Sequence, residues 1–285
     1  MFRYQWVISP SEKKTPAFSY LKRAMPLMPQ GRLHDAFREK DVRQNGLRIG
    51  EDTLIVPGAE ISVYSEFAPS LDIVYEDSRL LIVNKPSDVC TEDAHAGITV
   101  LSMARAYARG LYEPRLCHRL DTRTSGLLML CKDDEAEAEM KEVFRVRDIR
   151  KEYECLARGE MRPPQGRFTA YLVKDSARGR VRVISHNTPG AREIVTGYRL
   201  LSREGELSRL RVELLTGRTH QIRAHLAYLN HPILGDDLYG DRELNRRHKA
   251  VGKLKLCAVS LELNVPDGSL FSYLNGREFT VKAPF

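Results

Sequence analysis

Apolar residues follow a helical period in two places near the start of the chain and a strand-like period over most of the rest. Residues 1–14 show neither and read as a polar leader. Residues 19–25 and 31–40 read as short helices, the second with Leu33, Ala36 and Phe37 at i, i+3 and i+4. A short strand then ends in Asn45-Gly46, a pair that favours a tight hairpin turn. Residues 54–56, Pro57-Gly58 and 61–64 read as strand, turn and strand. Residues 15–66 thus form a small α+β unit, and a linker with Pro69 follows at 67–70.

From residue 71 the pattern is strand-rich. Residues 71–76 and 80–84 flank Asp77-Ser78-Arg79 as a hairpin, and 98–109 read as a helix. The continuous apolar run at 125–132 reads as a buried strand. Residues 133–147 read as a helix, with acids in the first turn and basic residues in the last, matching the helix dipole. Further strands are expected at 152–158, 168–173, 181–184, 193–201, 207–215, 254–263 and 278–281. Hairpins outnumber βαβ units. The expected fold class is therefore α+β: a mixed, largely antiparallel sheet with flanking helices over 71–285, behind the small N-terminal unit.

Composition narrows the class. The chain has 285 residues, 42% hydrophobic and 29% charged, which excludes a mostly disordered protein. The longest apolar run, 127–131, is far too short to span a bilayer as a helix, and with no long apolar region after Ile8 a secretory signal is not expected. Five cysteines without a CxxC pair read as reduced thiols of a cytoplasmic protein. The net charge is +7, and two stretches concentrate it. Residues 145–182 hold eleven Lys/Arg against five Asp/Glu, and 242–255 hold six against one. Such runs are either solvated loops or a surface for phosphates.

Several chemistries lack a handle. There is no GxxxxGK[ST] loop, no GxGxxG after a strand and no HExxH, so neither a nucleotide cofactor nor a metal is expected. His220, His225 and His231 are five and six residues apart, and the first two do not share a helix face as a metal pair would. Ser125, His118 and Asp121 contain the elements of a hydrolytic triad, but no GxSxG elbow surrounds Ser125. Taken alone, Asp121 is an Asx-turn residue before a buried strand.

The surrounding run, His118-Arg119-Leu120-Asp121-Thr122-Arg123-Thr124-Ser125-Gly126 and the apolar residues after it, resembles the HRLDxxTSGLLL block of the RluA-type pseudouridine synthases. Lys151-Glu152-Tyr153-Glu154-Cys155 resembles the family's K-x-Y strand, and 214–240, with Gly217-Arg218-Thr219-His220, resembles its third block. Residues 73–89 also fit, so the resemblance spans about 71–263. Cys90-Thr91-Glu92 departs from the usual V-H-P-like stretch, and no role is carried onto the insert at 164–189. The N-terminal segment resembles the S-four-like RNA-binding domain through Val42-Arg43-Gln44-Asn45-Gly46 and 54–64.

The resemblance implies an RNA enzyme that isomerises uridine, moving the glycosidic bond from N1 to C5 without cofactor or metal. It implies Asp121 as the catalytic carboxylate, adding to C1′ or taking the 2′ proton. Arg218 is expected to pair with it, and Tyr153 to lie against the uracil and assist loss of the C5 proton. Arg119 is expected to fill the gap left by the flipped uridine. His118, Leu215 and Ile222 are the other expected substrate-binding residues. The expected partner is structured RNA, ribosomal before transfer RNA, and the protein is expected to be a monomer. Two other classes compete: an inactive RNA-binding protein of the same fold, and a glycosidase using Asp121, although glycosidases need a second carboxylate across the bond.

Overall fold

The computed structural model describes residues 2–175 and 179–285, in two compact units. The first comprises 2–72 and 88–115, and the second 73–87 and 116–285. The division departs from a boundary at 67–70, because 88–115 packs with the N-terminal residues. Gly97 and Ile98 donate backbone hydrogen bonds to the Ala24 carbonyl, and the Trp6 ring lies so close that a Cβ on Gly97 would meet it at 2.6 Å.

In the first unit the sheet order is β1 (Phe2–Val7), β4 (Glu60–Ser65), β2 (Val42–Gln44), β3 (Leu47–Arg48). Helices α1 (Ala17–Ala24) and α2 (Gln30–Arg38) pack beside it, and α3 (Val100–Ala108) belongs to the same unit. Asn45 and Gly46 both have positive φ, 49° and 77°, as a type I′ turn requires. Two expectations fail here. Residues 2–7 are an edge strand paired with β4 rather than a leader; only Trp6 is buried among them, so the apolar pattern was too thin to show it. Residues 54–56 form no strand: Leu54 makes a single bridge to Pro16, whose ring leaves no N–H for a ladder.

The second unit is built on a large sheet. Its strands are β5 (Ile73–Glu76), β6 (Leu80–Lys85), β8 (Ser125–Cys131), β9 (Ile149–Arg158), β10 (Gln165–Asp175), β11 (Arg180–Ile184), β12 (Arg192–Glu204), β13 (Leu207–Leu214), β14 (Leu256–Leu263) and β15 (Glu278–Thr280); the two-residue β7 (Arg115–Leu116) spans the point where the chain passes from one unit to the other. The spatial order is β11-β10-β12-β13-β9-β14-β8-β6-β5, with β15 on β14. Every pairing along this path is antiparallel except β8 with β14. The fold is α+β, as the strand and helix pattern predicts.

β8 is buried at every residue because it lies mid-sheet with both faces covered. Leu127 and Met129 pack with Ile82, Met140 and Val143 on the side of α4 (Asp134–Val146). Asp133 caps α4 by accepting the Ala136 N–H at 2.8 Å. Helices α5 (Gln221–Tyr228) and α6 (Arg242–Arg247) complete the unit. Among the described residues, no helix is long and apolar enough to cross a membrane.

One close approach fixes the centre of the sheet. Gly126 has φ of 106°, and a Cβ there would lie 2.1 Å from the Ala258 carbonyl oxygen of β14. Ala258 pairs with Gly126 on one side and with Tyr153 of β9 on the other, just before a bulge. Gly126→Ala should therefore push β14 away and strain the backbone, at a cost of roughly 1–3 kcal/mol from φ alone. The expected result is a melting temperature several degrees lower, with turnover reduced because Tyr153 shifts with β14. A melting curve and turnover equal to wild type would show that the approach is dispensable.

Candidate active site

Asp121 sits in a turn closed by the Thr124 N–H donating to its carbonyl at 3.0 Å, immediately ahead of β8. The turn is anchored from β6. Lys85, fully buried, donates to the carbonyls of Pro86 and Thr122 at 2.9 Å each. The Ser87 hydroxyl donates to the Arg123 carbonyl at 2.9 Å. An ammonium buried among carbonyls holds the peptide after Asp121 in place and leaves the carboxylate 25% exposed.

The cation on that carboxylate is Arg223, not Arg218. Arg223 Nη1 donates to Asp121 Oδ2 at 3.2 Å. The same guanidinium donates from Nε and Nη2 to the two oxygens of Asp236, at 2.7 and 3.0 Å. Asp236 is 1% exposed and also accepts the N–H groups of Leu238 and Tyr239. Burial works against the Arg223 charge, yet the two carboxylates outweigh it and its pKa lies above the ordinary value. Burial likewise opposes ionisation of Asp236, and Arg223 with the two N–H donors holds it below the usual carboxylate range. Arg218 is exposed at the turn before α5, where its backbone N–H donates to Gln221 Oε1.

Gln221 explains how α5 is held. Its Oε1 accepts from Thr216 and from the Arg218 N–H, and its Nε2 donates to Thr196 and to the Val195 carbonyl. All four hydrogen bonds of a buried amide are made, and they fasten the first turn of α5 to β12. His220 precedes it in a left-handed conformation, φ 54°. Its Nε2 is 3.8 Å from Asp121 Oδ2, and its Nδ1 is 3.0 Å from the Tyr239 hydroxyl. Burial lowers the His220 pKa, with Arg223 adding to the effect and Asp121 and Asp236 opposing it. The Tyr239 oxygen also accepts the Val181 N–H, so this phenol links β11 to His220 beside Asp121.

Tyr153 is buried on β9, between Val212 and Ala258. Burial, then the charge of Asp121, pushes its phenol well above the ordinary value, so it is protonated at neutral pH. Its hydroxyl has no hydrogen-bond partner among the described residues. Arg119 is exposed on the turn. His118 departs from its expected role. Its Nε2 accepts the Met129 N–H at 2.9 Å and its ring stacks on Phe144 at 4.4 Å, so it serves the fold. Leu215 is half-buried against Gly197, and Ile222 is buried within α5.

Burial pushes the pKa of His118 down to about 3, with Lys151 adding to it, and that of His225 down to about 4. In the unfolded chain both bind a proton near pH 6.5. Between about pH 6.5 and 4 the unfolded state therefore takes up protons that the folded state refuses, so stability falls with pH. The urea midpoint should decline from pH 7 to pH 5, above the range where carboxylates titrate. His225→Asn, which keeps a partner for Thr196, should show a shallower decline; an unchanged slope would contradict the buried neutral ring.

The basic run at 145–182 is less available to phosphate than its count suggests. Arg150 pairs with Glu152, Glu213 and Glu262, Arg158 with Asp241, Arg162 with Glu160 and Arg145 with Glu142. Arg178 lies outside the described residues, as does part of the insert at 164–189, whose described portion includes the β10–β11 hairpin. Among the described residues, no group of three His, Cys, Asp or Glu is arranged to hold a metal.

Sequence reasoning missed Arg223 and Asp236. A signal was present: Arg223 is the one cation between Gln221 and Leu226, flanked by Ile222 and Ala224 in an apolar helix. A charge so placed is buried and needs a carboxylate. Asp236 was visible only as an acid in a loop.

Residues 79–228 match the family described as RNA pseudouridylate synthase. The chain is 33% identical over 282 residues to a Vibrio cholerae protein named ribosomal large subunit pseudouridine synthase D, covering 90% of this chain and 83% of that one. It is 32% identical over 237 residues to the Yersinia pestis protein of the same name, covering 78% and 72%. Among solved structures, human RNA pseudouridylate synthase domain containing 1 superposes with a TM-score of 0.59 at 26% identity, over 78% of this chain and 93% of that one. Human RNA pseudouridylate synthase domain containing 4 shares the fold, with a TM-score of 0.60 at 23% identity over 74% and 88%. The chain belongs to the RNA pseudouridylate synthase family.

Proposed function

We propose that this protein isomerises uridines of large-subunit ribosomal RNA, with Asp121 as the reacting carboxylate. Its main support is Asp121 itself, exposed at one edge, held at the head of β8 and oriented by Arg223. The ribosomal substrate is supported by the names of the relatives above. The C1′–N1 bond breaks, the uracil turns over, C1′ bonds to C5, the C5 proton leaves and N1 gains one. No electrons are exchanged with a carrier. Asp121 Oδ1 accepts no hydrogen bond from a described residue and faces the sugar, either adding to C1′ or taking the 2′ proton.

Tyr153 supplies a flat apolar face for the uracil. Its protonated phenol is a donor rather than a base, so the C5 proton goes to another group or to water. Arg119 is free to enter the space of the extruded uridine. The N-terminal unit holds RNA with exposed Lys22, Arg32, Lys40 and Arg48. Five free cysteines suit a reducing compartment, and we place the protein in the cytoplasm.

The test uses large-subunit ribosomal RNA transcribed with uridine tritiated at C5. An isomerase releases tritium to water and frees no uracil. A glycosidase frees the base, and an inactive binder does neither; either result overturns the proposal. Release should also persist after chelation, on an RNA fragment whose fold does not depend on magnesium.

A further inference from the structure

Beside the reaction site, the face of α5 next to Arg223 forms one wall of a cleft of about 570 Å3. The opposite wall is the β10–β11 hairpin. Val181, Val183 and Ala227 give it an apolar lining, Tyr228 and Tyr239 an aromatic one, and Lys174, Arg180, Arg182 and Asp175 a charged one. Lys174 and Val181 are paired across the hairpin and share its face. The volume falls in the range of roughly 300–1,000 Å3 typical of sites for small organic groups.

Three features specify the occupant. Tyr228 is 49% exposed, an aromatic face left open to solvent. Lys174 is exposed and makes no ion pair with a described residue. Tyr239 is a shared wall. Its hydroxyl receives the Val181 N–H at 2.9 Å on the cleft side and meets His220 at 3.0 Å on the other. The Arg223 guanidinium lies 5.4 Å from its ring centre. A strand reacting at Asp121 thus passes beside this cleft, and its own next residues are present there at millimolar effective concentration or above. An open aromatic, an apolar lining and two cations, Lys174 and Arg182, beside the Arg180–Asp175 pair suit a planar base and its phosphate.

We propose that the cleft takes an unstacked nucleobase of the same RNA strand, close to the target uridine, stacked against Tyr228 with its phosphate at Lys174. The inference rests on the RNA-isomerising activity proposed above and goes beyond it by assigning part of target selection to this cleft. Base-on-aromatic stacking contributes enough that losing it should cost roughly 5- to 100-fold in kcat/KM.

The experiment pairs changes in RNA and protein. Wild-type enzyme is assayed by tritium release on substrate RNAs carrying one abasic residue at each position flanking the target in turn. One position should cost the wild type roughly 5- to 100-fold. Ala227→Phe, which fills the cleft, and Tyr228→Ala, which removes its open face, should each lose a similar factor on intact RNA and nothing further at that position. Melting curves show whether each variant is folded; should the filled variant unfold, Tyr228→Ala decides alone. Variants matching wild type on intact RNA, or paying the full abasic cost at every position, overturn the cleft. Wild type releasing no tritium from any RNA overturns the activity instead.

Discussion

Asp121→Asn should abolish tritium release while leaving RNA affinity within a few-fold of wild type. The amide is nearly isosteric but can neither add to C1′ nor take a proton. Positioned carboxylates of this kind contribute about 10²–10⁴-fold to rate, and turnover should fall by at least that much. The protein should stay folded. Asp121 is 25% exposed and shares Arg223 with Asp236, so the guanidinium keeps its buried partner when the Asp121 charge is removed. That geometry separates this substitution from one that orphans a buried charge. Filter binding at several salt concentrations should show an unchanged slope, because a carboxylate neutralises no phosphate. Residual turnover above about one per cent, measured under single-turnover conditions, would mean that the reacting group lies elsewhere.

The sequence carries whatever depends on neighbours along the chain. The unbroken apolar run of β8, the acidic start and capped end of α4 and the Asn45-Gly46 turn all appear where local chemistry puts them. Asp121 and Tyr153 stood inside recognisable blocks. What was illegible depends on distance. Asp121 and Arg223 are 102 residues apart, and nothing local says which of Arg218 and Arg223 turns inward. The choice is made by Gln221, whose four hydrogen bonds set the start of α5 so that Arg218 faces solvent and Arg223 faces the sheet. His118 misled for a similar reason. Three residues from Asp121 in a family block, it looked functional, whereas its ring satisfies a backbone N–H of β8. The edge strand at 2–7 was hidden because an edge strand buries little.

Arg223 and Arg218 should separate cleanly in kinetics. Arg223→Lys keeps a positive charge but not the planar fork. Three nitrogens of Arg223 are committed, two to Asp236 and one to Asp121, and a single ammonium cannot serve both carboxylates at these distances. The substitution should lower kcat by roughly 100-fold or more through misorientation of Asp121, with a smaller effect on KM. Arg223→Leu should also destabilise the protein, because Asp236 at 1% exposure would be left as an unpaired buried carboxylate, a loss of roughly 3–5 kcal/mol. Adding Asp236→Leu to Arg223→Leu removes that orphan and should restore much of the stability without restoring turnover. This double variant distinguishes a catalytic loss from unfolding. Arg218→Gln should behave differently. An exposed arginine at the mouth of α5 contacts phosphate if it contacts anything, so kcat at saturating RNA should stay within about three-fold. The slope of log affinity against log salt should flatten by roughly 0.7–0.9. If instead Arg218→Gln costs as much in kcat as Arg223→Lys, the two arginines exchange roles when RNA binds, and the pairing seen in the free protein is not the one that reacts.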